Sequence, residues 1–182
     1  MKKDFIMPIL VLAVICIVVS GALAFVNNLT LPVISDAANE RAINARRSII
    51  PQAEGFELLT VEGLPKRILE VYKATHNTGF IFTISTHGYA PEDIVMICGI
   101  SPDGLVIKTA VLYQNETQGL GTPIFEEAHA GQYWGRDRNG IEGVAAISGA
   151  TITSNALKNG IRDAFTAFEI VKSYLDLIEE EE

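Results

Sequence analysis

The chain has 182 residues, 48% of them hydrophobic, and a formal net charge of −8 at pH 7. That length suits about one domain, and the acidic balance lacks the basic face that nucleic-acid binding requires. Two isolated cysteines, Cys16 and Cys98, and three scattered histidines leave neither a disulfide framework nor a Cys/His metal site.

In chain order, the first element is an apolar run from Ile6 to Val26 that contains no charged residue. It matches the ~20 apolar residues needed to span a membrane as a helix. It exceeds the ~7–15 residues of a signal-peptide core, although Ala22-Leu23-Ala24 has the form of a cleavage triplet. A retained single-pass anchor over residues 1–28 is expected. Lys2 and Lys3 before the span, offset in part by Asp4, outweigh the more distant Arg41, Arg46 and Arg47. This places the N-terminus in the cytoplasm and the rest of the chain outside it. Asn27 to Pro32 reads as a break. Ile34, Ala38, Ala42, Ala45 and Ile49 then recur at helical spacing up to Pro51, a narrow stripe suited to packing on a domain or on partner helices.

From Phe56 to Tyr113 the pattern changes to strands. Ile68–Ala74 and Phe80–Thr86 alternate in part, and Ile94–Ile100 is apolar throughout, as in a strand buried on both faces. Ser101-Pro102-Asp103-Gly104 has the composition of a type I turn, with Leu105–Tyr113 as the hairpin partner. Cys16 in the span and Cys98 in a strand read as small buried hydrophobes. Glu126 and Glu127 start or flank a short helix, Tyr133 and Trp134 cover a core edge, and His76, His87 and His129 read as surface residues. Gly143–Ile147 reads as a strand. A long helix begins near Thr153 or Ser154, either of which suits an N-cap. Its buried face is Leu157, Ile161, Phe165, Phe168, Val171, Leu175 and Ile178, and the terminal Glu179–Glu182 run frays. The fold class expected is α+β: an antiparallel sheet with flanking helices over residues 29–182, behind a single transmembrane helix.

Ser148-Gly149-Ala150-Thr151 is the most informative stretch. Its plain reading is a strand end and a helix cap, with Gly149 supplying an unusual backbone angle. Its functional reading is a turn whose N–H groups converge on an anion at a helix start, with the Thr151 hydroxyl as an attachment point. A helix terminus stabilises a phosphate by only about 0.3–1 kcal/mol, so a covalent link is the sensible way to retain such a ligand outside a cell.

Ile147–Asn155 (ISGATITSN) resembles the flavinylation motif of the covalently FMN-bearing subunits of Rnf and sodium-pumping NADH:quinone reductase complexes. Glu116–Thr122 (ETQGLGT) resembles that family's second motif, and Thr86-His87-Gly88-Tyr89 adds a weaker likeness. With the anchor, the resemblance covers most of the chain. Its length favours the G subunit of Rnf over the longer C subunit of the quinone reductase.

The resemblance implies FMN joined to Thr151 by a phosphoester bond. It also implies flavin contacts from Glu116, Thr117, Gly119, Leu120, Gly121, Thr122, Ser148, Gly149, Ala150 and Thr153. Gly119 and Gly121 would let backbone approach a flat ring, Leu120 would pack on its face, and Glu116 and Thr117 would orient its polar edge. No metal ligand and no catalytic side chain is implied. The partners implied are other membrane and peripheral subunits, passing electrons between ferredoxin and NAD and coupling the flow to sodium or proton transport. One position departs: family members carry Asp three residues before the Ser, as part of the pattern read by the transferase that moves FMN from FAD, whereas Ala145 stands here. A flavin-free structural subunit and a membrane-tethered sensor or binding module remain the alternatives from other classes.

Overall fold

A computed structural model describes the backbone of residues 2–181 and the side chains of residues 6–178. The side chains of Lys2, Lys3 and Asp4, on which the orientation rests, and those of Glu179–Glu182 lie outside the described residues. Two compact units are present, Met1–Arg41 and Ala42–Glu182. Helix α1 (Lys2–Ile49) supplies the first and contributes its final turns to the second.

Along the first unit the large apolar side chains are exposed, Ile17 at 72% and Leu23 at 66%. Such a continuous apolar surface fits a lipid environment. Among the described residues, α1 is the one helix long and apolar enough to cross a membrane. The expected break at Asn27–Pro32 does not occur, because Pro32 lies within α1. A proline removes one N–H from the helical ladder, and hydroxyls bond the neighbouring carbonyls. Thr30 donates to the carbonyls of Val26 (3.0 Å) and Asn27 (3.2 Å), and Ser35 donates to that of Pro32 (2.8 Å).

The second unit is built on an antiparallel sheet of β1 (Phe56–Leu59), β2 (Ile68–Ala74), β3 (Phe80–Thr86), β4 (Ile94–Ile100) and β5 (Val106–Tyr113), in that spatial order. The branched and aromatic runs form strands where the pattern places them, and β5 starts one residue late. The turn before it closes through Gly104 N–H donating to the Ser101 carbonyl (2.9 Å), with Gly104 at φ 77°.

Strand β4 sits between β3 and β5 and is buried on both faces, as expected. Met96, Cys98 and Ile100, with Phe82 and Ile84 of β3, face a core shared with the long C-terminal helix. Burial pushes the Cys98 thiol up to about 12, which leaves it an inert core residue. On the other face, Ile81 and Ile97 join Ile49 and Ile50, with Ala45 packed against them. Gly99 permits that approach, since a Cβ there would overlap Cγ2 of Ile49. Arg46 adds a polar lock: its guanidinium lies 3.8 Å from the Tyr72 ring centroid and donates to the Tyr72 hydroxyl at 3.0 Å.

Beyond the sheet lies the short helix α2 (Glu127–Ala130), flanked by Glu126 as expected. His129 is buried, at 4% exposure, and not a surface residue, because α2 turns it inward against Tyr133 (ring centroids 6.0 Å apart, 77° between planes). Gly143–Ile147 is not a strand. A 3-10 turn (Gly140–Gly143) enters it, and its polar groups find side chains instead of a ladder. Lys158 Nζ donates to the carbonyls of Val144 (2.7 Å) and Glu142 (3.2 Å), and Ile147 N–H donates to Ser154 Oγ (3.1 Å).

Helix α3 (Thr151–Glu181) begins two residues before the expected start, so Thr153 and Ser154 lie inside its first turn and do not cap it. Leu157, Ile161, Phe165, Phe168 and Val171 are buried along it. Leu175 is half-buried and Ile178 is 41% exposed, because the apolar stripe outruns the sheet it packs on.

Candidate functional site

The site is built where three segments meet: the start of α3, the loop after β5, and the loop between β3 and β4. At the start of α3, Ala150 N–H donates to the Ile147 carbonyl (3.0 Å) and closes the turn. Gly149 sits at φ 84°, a conformation that glycine adopts without steric cost. Ser154 pins this turn by donating to the Ala150 carbonyl (2.9 Å) while accepting from Ile147 N–H. The first helical bond is Ser154 N–H to the Ala150 carbonyl (2.9 Å). Ahead of it, the N–H groups of Thr151, Ile152 and Thr153 have no hydrogen-bond partner among the described residues, as at any helix start. The Thr151 side chain is exposed, whereas Thr153 and Ser154 are each 1% exposed.

The Glu116–Thr122 loop folds on the Thr117 carbonyl, which accepts from the N–H groups of Leu120 (3.1 Å), Gly121 (2.8 Å) and Thr122 (3.4 Å). Thr122 Oγ1 accepts from Gly119 N–H at 3.0 Å, and Gly119 takes the left-handed φ of 77° that the turn demands. Leu120 projects over Gly149: a Cβ at that glycine would stand 3.5 Å from Leu120 Cδ1.

Between these segments lies a cavity of about 450 Å³, a volume typical of small-ligand sites. Of the residues singled out by sequence, Glu116, Thr117, Leu120, Gly121, Gly149, Ala150, Thr151 and Thr153 line it. Gly119, Thr122 and Ser148 belong to the turns that shape it. Tyr89 and Ile152 line it as well. Only the faint Thr86–Tyr89 likeness hinted at the first, and nothing but its place beside Thr151 marked the second.

The Glu116 carboxylate is engaged by the chain's own donors. The residue is 7% exposed. Oε1 accepts from Tyr89 N–H (2.9 Å) and Ala90 N–H (3.0 Å), and Oε2 accepts from the Thr153 hydroxyl (2.6 Å).

Free N–H donors at one end, with the exposed side chains of Tyr89, Leu120 and Ile152 at the rim, suit a ligand with an anionic group and a flat apolar body. A larger groove of about 760 Å³ between Thr60–Glu62 and the Glu169–Leu177 part of α3 has neither a helix start nor a glycine turn.

Residues 88–166 match the sequence profile of the FMN-binding domain. By sequence, this segment resembles an FMN-binding domain. The matched segment encloses every residue that lines the cavity.

Over 88% of its length the chain is 28% identical to the G subunit of the Na(+)-translocating ferredoxin:NAD(+) oxidoreductase complex of Acetobacterium woodii, covering 89% of that protein. It is 24% identical to the proton-translocating counterpart of Clostridium ljungdahlii, with 84% of this chain and 85% of the relative covered. It is 27% identical to the G subunit of the ion-translocating oxidoreductase complex of Methanosarcina acetivorans, with 90% and 94% covered.

Proposed function

We propose that this chain is the flavin-carrying electron-transfer subunit of a membrane-bound, ion-translocating ferredoxin:NAD oxidoreductase, with FMN held through its phosphate on the Thr151 hydroxyl. The observation that carries the reading is the convergence of the exposed Thr151 and the unpartnered N–H groups of Thr151–Thr153 on one cavity of an FMN-binding domain. Its relatives, matched over most of their length, are G subunits of such complexes. FMN when bound supplies one- and two-electron chemistry. The chain's own residues position and shield it: the α3 start offsets the phosphate charge, and Leu120, Tyr89 and Ile152 cover an apolar ring from water. The protein is not catalytic alone and works with other membrane and peripheral subunits. Residues 1–28 anchor it in a single pass, with the N-terminus cytoplasmic and residues 29–182 outside the cytoplasm.

Intact mass tests the linkage. One fixed addition of FMN, together with a fluorescent band that survives denaturation and is lost in Thr151→Ala, is the expected result. A colourless native protein of unmodified mass overturns it. For the orientation, a C-terminal fusion should be open to protease outside the cytoplasmic face. Cleavage in inverted vesicles but not in intact cells overturns that part.

A further inference from the structure

We infer that Glu116 is a positioning residue, a clasp that ties the loop between β3 and β4 to the first turn of α3 and so builds the cavity wall, without itself touching the flavin. Its carboxylate joins three segments distant in sequence: Tyr89 and Ala90 on that loop, Glu116 after β5, and Thr153 in α3. A buried carboxylate that accepts three short bonds has little capacity left for a ligand.

The glycines around it give an independent argument. A Cβ at Gly88 would collide with Glu116 Oε1 and stand 2.6 Å from Ile94 Cδ1. A Cβ at Gly121 would stand 2.8 Å from both Oε2 and Cβ of Glu116. Neither glycine has a positive φ, whereas Gly119 and Gly149 do. Backbone conformation therefore does not require glycine at 88 or 121; room for the Glu116 side chain does, and at 88 room for Ile94 as well. Tyr89, held by its own N–H, is delivered to the cavity as a consequence.

The clasp is a property of the flavin-free chain, while its consequence for FMN loading rests on the function proposed above. The test uses full-length protein carrying Thr151→Ala, in which amide hydrogen exchange is followed at Tyr89 and Ala90. Glu116→Ala and, separately, Gly88→Ala should speed exchange at both amides by about tenfold or more. Glu116→Gln should keep them protected, because its carbonyl oxygen accepts the two N–H groups and its NH2 meets the Thr153 hydroxyl as a donor. With Thr151 restored, the two clasp-breaking variants should lower the fraction of chains carrying FMN, and Glu116→Gln should rescue it.

Unchanged exchange in Glu116→Ala and Gly88→Ala overturns the clasp. So does a Glu116→Gln protein that keeps its protected amides yet loses FMN as fully as Glu116→Ala, which makes the charge a direct ligand. Should Glu116→Ala not fold, Gly88→Ala and Glu116→Gln decide alone. If the unmutated chain never gains FMN, the proposed function falls while the exchange rates still decide the clasp.

Discussion

Ala145 stands exposed three residues before the Ser148 turn, so a side chain can change there without disturbing the core. If the absent Asp limits loading, Ala145→Asp should raise the fraction of chains bearing FMN when the protein is made alongside the transferase. Intact mass reads the ratio directly, and an equal ratio removes this position from the account. His129 makes a different prediction. It is buried, its Nε2 has no partner among the described residues, and burial, then the Lys158 charge, holds its pKa below the usual imidazole range. The unfolded chain therefore takes up a proton near the ordinary value of about 6.5 while the folded chain does not. Stability is complete above that value, declines as pH falls below it, and stops declining once folded His129 itself protonates. His129→Phe should flatten that slope in thermal unfolding, and parallel slopes for both proteins would defeat the assignment. The hydroxyl turn and the glycine loop are legible in sequence because rare local geometry needs rare local composition. The role of Glu116 is not, since its donors at Tyr89 and Ala90 are backbone groups that leave no mark on the sequence.

Among the elements, the strands are legible because half-buried pleated surface demands branched and aromatic residues at period two. Gly143–Ile147 shows the limit of that logic. Its composition suits a strand, yet Lys158 and Ser154 of α3 satisfy its backbone, and only the fold brings them there. The end of α1 is the element whose packing most exceeds its sequence signal. Ile49, 2% exposed, closes the outer face of the sheet against Ile81 and Ile97. Truncation to Ile49→Ala should destabilise the second unit by about 2–5 kcal/mol, as deletions of this size in cores do. Urea unfolding followed by Trp134 fluorescence measures it, and a change well under 1 kcal/mol would show that the helix end is dispensable.

At the scale of the whole molecule, the anchor can be tested by charge. Val14→Arg places a guanidinium mid-span, with an insertion penalty of about 2.5–3.5 kcal/mol. Alkaline extraction should then release more of the chain from membranes than in the unmutated protein; equal retention counts against a single-pass span. The boundaries of the match carry a consequence of their own. The segment 88–166 holds the cavity but omits β3, the strand paired with β4 along its whole length, and the Ile49–Ile50 corner. Excised as a graftable flavin carrier, it should remain unfolded by circular dichroism, whereas residues 42–182 should fold. The portable unit therefore begins near Ala42, well before the first residue that lines the cavity.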